Sequence, residues 1–125
     1  MNNVYVPGTC NIGAAEIKYR RMAGLVGLGA TFVLLALFVA FDIIPVLRLV
    51  IFLPATLAAI GFLQAQLHFC VKFGMSGLFN FNDDMTRQET VEKAEYRRKD
   101  QQKAVTIIVA SVVIGIAVTV FSLYI

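Results

Sequence analysis

Residues 22–48, MAGLVGLGATFVLLALFVAFDIIPVLR, hold an apolar run, a tight turn and the opening of a second apolar run. From Met22 to Phe41 there is no charge, and the run has the roughly 20 residues that a helix rising ~1.5 Å per residue needs to cross a hydrocarbon core of about 30 Å. Residues 42–45, Asp-Ile-Ile-Pro, leave room only for a helical hairpin. Pro45 suits the first turn of the next helix, where its missing N–H would have no helical partner.

Two further blocks repeat the pattern. Ile43 to Phe69 carries Arg48 as its one permanent charge, and Val105 to Ile125 carries none. With 58% hydrophobic and 15% charged residues among 125, and a mean hydropathy of +0.75, the chain is too apolar for an ordinary soluble domain. Helices are the expected solution, because lipid offers unpaired backbone groups no partner. The fold class is therefore an all-α integral membrane protein with three transmembrane helices, residues 22–41, 46–69 and 105–125. The first is not a signal peptide: it follows a long 21-residue lead, and no small-x-small cleavage site ends it.

The basic residues orient these spans. Lys18, Arg20 and Arg21 precede the first; Lys72, Arg87, Lys93, Arg97, Arg98, Lys99 and Lys103 separate the second from the third; only Arg48 follows the first. The positive-inside rule then predicts N-in, C-out. The plain architecture suggests a bacterial inner membrane. Cys10 and Cys70 fall on the reducing side and are expected as free thiols.

In the N-terminal segment 1–21, Pro7, Gly8 and Gly13 break any regular pattern. Asn11 is placed to cap a helix running from about Ile12 into the first span, with Glu16 in its early turns. The string Pro-Gly-Thr-Cys-Asn-Ile-Gly, residues 7–13, looks specific but carries no evident mechanism. Arg20 and Arg21 lack the surroundings of a twin-arginine export signal and are expected at the headgroups.

Small residues mark helix contacts, since in lipid close backbone approach supplies much of the association energy. Ala23, Gly24, Gly27 and Thr31 in span one, and Ser111, Gly115 and Thr119 in span three, form the candidate packing faces, expected to meet each other. In span two, Pro54 should kink the helix. Arg48 should snorkel to headgroups or meet Asp42.

After span two, polar and apolar residues alternate from Gln64 to Phe73. Residues 70–81 are expected as an interfacial apolar segment, or a re-entrant one, rather than a strand. Residues 82–104 are expected as a charged helix continuous with span three, about 40 residues and on the order of 60 Å long from Thr86 to Ile125. Its supports are a Thr86–Glu89 capping box and the Glu89–Lys93 and Glu95–Lys99 pairs. Arg97, Arg98, Lys99 and Lys103, with Arg20 and Arg21, are the candidate contacts to lipid headgroups or a cytoplasmic protein partner.

Chemistry is thin. One histidine, no Cys-x-x-Cys, no His-Glu-x-x-His and no phosphate-binding glycine loop appear. His68, Cys10 and Cys70 would be the only soft-metal set, a haem on His68 is a remote alternative, and the Asp83–Asp84 pair lacks a third carboxylate. No Asp or Glu falls inside a span as a coupling site would require. No catalytic residue, cofactor, metal or nucleic-acid partner is expected. The expected function is that of a small non-enzymatic membrane protein, an accessory or structural subunit bound to lipids, to other membrane helices through the small-residue faces of spans one and three, and to a cytoplasmic partner through residues 82–104 and the N-terminal segment. The alternatives are a homo-oligomeric channel or passive pore, and an electron-transfer subunit built on His68.

Overall fold

A computed structural model describes residues 5–81 and 89–125. Helix α1 runs Ala14–Ala40; α2, Pro45–Arg48, passes through a 3-10 turn, Leu49–Ile51, into α3, Phe52–Leu67; α4 is Val71–Ser76; and α5 is Ala94–Tyr124. Strands β1, Leu78–Phe79, and β2, Glu89–Thr90, pair antiparallel. Three helices, Ala14–Ala40, Pro45–Leu67 and Ala94–Tyr124, are long and apolar enough to cross a membrane, as in a multi-pass membrane protein.

Local chemistry explains the breaks. Pro45 opens α2 at the first helical turn, as expected. Pro54 has no N–H and its ring crowds the carbonyl four residues earlier, Val50. The helix tightens to 3-10 at Leu49–Ile51 immediately before it. Asp42 closes the α1–α2 hairpin with φ 50°, in the left-handed region that Asp tolerates better than most residues.

The polar alternation at Gln64 to Lys72 is a helix end rather than a strand. His68 terminates α3 in the left-handed conformation, with φ 55° and ψ 41°. Gln64 Oε1 then accepts the Val71 N–H at 2.8 Å, satisfying a free donor at the start of α4.

Span two is the centre of the bundle. The two small-residue faces do not meet each other; each packs on α3. A methyl group added at Gly61 would lie 2.6 Å from Gly24 N, and one at Gly27 would lie 2.7 Å from Ala58 N, so the α1 and α3 backbones touch there. Gly115 of α5 faces Thr56 and Phe52. Gly24, Gly27, Thr31, Ser111, Gly115 and Thr119 are all buried, while Ala23 is half-buried. The expected contact between spans one and three is corrected on this point: α3 lies between them, because Gly61, Ala58 and Ala55 give it small residues toward α1 while Thr56 and Phe52 meet α5.

Two segments depart further from expectation. Helix α5 begins at Ala94, not near residue 82, and Glu89 lies in β2, so the Glu89–Lys93 helical pair does not form. Thr86, Asp83, Asp84 and Arg87 lie outside the described residues. Glu95 and Lys99 do pair, at 4.0 Å. Residues 70–81 fold into α4 and β1, with Cys70 and Phe73 buried against protein and Met75 exposed. The approach to α5 and its second turn are likewise packed: Val91, between β2 and α5, and Asp100 are buried.

Candidate functional site

The polar interior of the molecule gathers at its charged end, where the N-terminal segment lies against α4, β1 and α5. The string at 7–13 builds it. Val6 and Cys10 exchange backbone hydrogen bonds at 2.9 Å around a Pro7-Gly8-Thr9 turn, with Gly8 at φ +69°. Beyond the turn, Asn11 bridges three elements. Its Oδ1 accepts the Cys70 N–H at 2.7 Å and its Nδ2 donates to the Cys70 carbonyl at 3.2 Å. Its backbone N–H donates to His68 O at 3.2 Å, and its carbonyl accepts the Asn80 N–H at 3.0 Å. Gly13 N then donates to Asn80 O at 2.9 Å.

Asn11 therefore does not cap α1. The helix starts at Ala14 with Gly13 as its N-cap and no side-chain cap bond; the asparagine is consumed in holding Cys70. At Gly13 an added methyl would meet the Phe81 backbone at 3.0 Å, which explains a glycine where the chain passes the segment after β1.

Two acidic groups are buried here, and each has a partner within the chain. Glu16, 2% exposed, pairs through Oε2 with Arg20 Nη1 at 3.0 Å. The second nitrogen of that guanidinium, Nη2, donates to Cys70 Sγ at 2.9 Å. Asp100, fully buried, accepts the Tyr5 hydroxyl at 2.6 Å and the Gly8 N–H at 2.7 Å. Tyr5 also stacks on Phe79, with ring centroids 4.7 Å apart. Burial, and then the hydrogen bond and negative charge of Asp100, hold the Tyr5 phenol well above its ordinary pKa of 10.0. Burial also pushes the Cys10 thiol up, with a backbone hydrogen bond at Ile12 opposing. A protonated, buried thiol is a poor nucleophile.

The other end has a smaller clasp. Arg48, 7% exposed, donates from Nε to Ile43 O and from Nη1 to Ser122 O, both at 2.9 Å. Its Nη2 lies 4.0 Å from Asp42 Oδ1. The guanidinium caps a free carbonyl at the end of α5, where a positive charge is also favoured by the helix dipole. It ties span three to the hairpin rather than snorkelling freely.

Of the basic candidates, the structure divides the set. Arg20 and Arg97 turn inward: Arg97 Nη1 donates to Val91 O at 2.7 Å and Glu92 O at 2.9 Å. Arg21, Arg98 and Lys99 are exposed and Lys103 is half-exposed. Asn80, Asp100 and Tyr5 were not legible as site residues, because their partners lie far away in sequence; Glu16 pairs locally with Arg20, and only its burial marks it. Among the described residues no group of three His, Cys, Asp or Glu side chains stands close enough to hold a metal ion, so His68, Cys10 and Cys70 are not assembled as ligands. In comparisons with known proteins, no family model, no curated protein and no solved structure matches the chain.

Proposed function

We propose that this chain is a non-enzymatic accessory or structural subunit of a membrane assembly, with its charged end on the cytoplasmic side of a bacterial inner membrane. The observation that carries this reading is how the polar side chains are spent. Arg20, Asp100, Asn11 and Arg48 each bond within the chain, fastening the N-terminal segment and the three helices to one another. What they create is a braced wall of helices whose outer faces are apolar: Phe32, Val33, Val113 and Phe121 are each more than half exposed.

The small-residue faces are used inside the protomer, so contacts to other chains fall on these outward faces. A pore lined by this chain has little to draw on. Thr31, Gln64, Ser111, Thr119 and Ser122 are all buried between its own helices, leaving Thr106 and, at the far end, Tyr124 as the exposed hydroxyls of span three.

Photo-crosslinkers placed at Phe32 and Val113 in living cells test the reading. Adducts to one recurrent other polypeptide support it; adducts only to a second copy support the channel, and lipid adducts alone overturn both. Orientation has its own test. Ile44→Cys in the hairpin turn should react with an impermeant thiol reagent in intact cells, and Gln101→Cys should not. The reverse pattern would overturn it. The native cysteines cannot report sidedness, because both are buried.

A further inference from the structure

On the outer side of α5, where the helix passes from charged to apolar residues, two shallow clefts of about 330 and 410 Å³ adjoin, sharing Gln102 and Thr106. The first has two walls. One is the Lys99–Lys103 face of α5; the other is the Pro7–Gly8 turn. That turn is fixed in place from behind, since Gly8 N–H bonds the buried Asp100 at 2.7 Å and a methyl at Gly8 would meet Lys99 Cβ at 3.2 Å.

We propose that this cleft holds the phosphate of an anionic phospholipid against Lys99 and Lys103, with Gln102 beside them and the acyl chains lying along Val105 and Val109. Three observations select a lipid over a free anion. Lys103 is the last charge before the apolar run to Ile125, so the cleft lies at the polar–apolar boundary. The second cleft adds Arg98, Gln101 and Val105, continuing from basic to apolar as a phospholipid does. Below it Val105, Val109 and Val113 are 48%, 55% and 58% exposed, giving the chains a surface. The competing partner of Lys99 is weak: Glu95 stands 4.0 Å away and both side chains are largely exposed. The site does not depend on the accessory-subunit reading.

Native mass spectrometry of the detergent-purified protein tests the assignment, using phosphatidylglycerol and phosphatidylcholine at equal concentration. Phosphatidylglycerol should be retained in preference, and the Lys99→Gln/Lys103→Gln variant should lose roughly tenfold or more of that retention, since each basic residue near an anionic surface contributes on the order of 1 kcal/mol. Lys18→Gln, an exposed charge on α1, should leave it unchanged. Equal retention of the two lipids by the native chain would overturn the proposal whatever the variant does. So would undiminished phosphatidylglycerol retention by the double variant, or its displacement by millimolar inorganic phosphate, which would assign the cleft to a free anion.

Discussion

Asn11 and Cys70, 59 residues apart in sequence, are joined as neighbouring strands would be: the asparagine amide accepts the cysteine N–H at 2.7 Å and donates to its carbonyl at 3.2 Å. Both residues are almost wholly buried. Asn11→Ala would leave two buried backbone groups without these partners, at about 1–3 kcal/mol for a stranded donor or acceptor. A loss of about 2–4 kcal/mol is expected in denaturant unfolding in micelles, with faster modification of the Cys70 thiol. A change below about 0.5 kcal/mol, the scale of an ordinary surface substitution, would show that the bridge does not hold the segment.

Three glycines of the spans should behave differently. Gly27→Ala and Gly61→Ala place a methyl against backbone atoms at 2.7 and 2.6 Å, and forced separation of packed helices costs about 1–3 kcal/mol. Gly29→Ala meets nothing within 4 Å, so it should be neutral or gain up to about 1 kcal/mol from helix propensity. Unfolding titrations of the three variants check the ranking. Equal effects at Gly27 and Gly29 would contradict the α1–α3 contact.

Arg48→Gln removes the bonds to Ile43 O and Ser122 O together. An expected loss of about 2–3 kcal/mol follows from two charge-assisted bonds at a buried site. Arg48→Lys should not restore it fully, because an ammonium lacks the planar fork that reaches both carbonyls. Proteolysis at the end of α5 should accelerate in both variants; full stability of the lysine form would argue against the fork.

Tyr5 sets a limit at high pH. Its folded pKa is raised above the unfolded value of 10.0, chiefly by burial and then by Asp100. Below pH 10 the phenol is protonated in both states and its contribution is complete. As pH rises past 10 toward the higher folded value, the unfolded chain releases the proton first and stability falls. An ultraviolet titration should show one of the four tyrosines ionising late or only on unfolding, and Tyr5→Phe should abolish the late phase. Four tyrosines titrating together near 10 would contradict the Tyr5–Asp100 bond.

The three spans, the Pro45 hairpin and the inward small-residue faces were legible because they rest on local signals: run length, turn chemistry and side-chain size. The charged-end layer was not. Asn11 looked like a cap because capping is what an asparagine before a helix does locally, and only its 59-residue contact with Cys70 shows otherwise. The helix pairs of Glu89 with Lys93 and Glu95 with Lys99 have the same spacing, but β1 captures Glu89 through pairing with Phe79, so only the second survives. Arg20 and Arg97 were indistinguishable in sequence from the basic residues that face outward; burial beside Glu16 and at the Val91 carbonyl separates them.

The subunit reading is tested most directly by the mass and composition of the particle purified in mild detergent from its own cells. A particle well above the 13.7 kDa chain, containing other polypeptides in fixed proportion, is expected. A homogeneous monomer, or an oligomer of this chain alone, would contradict it.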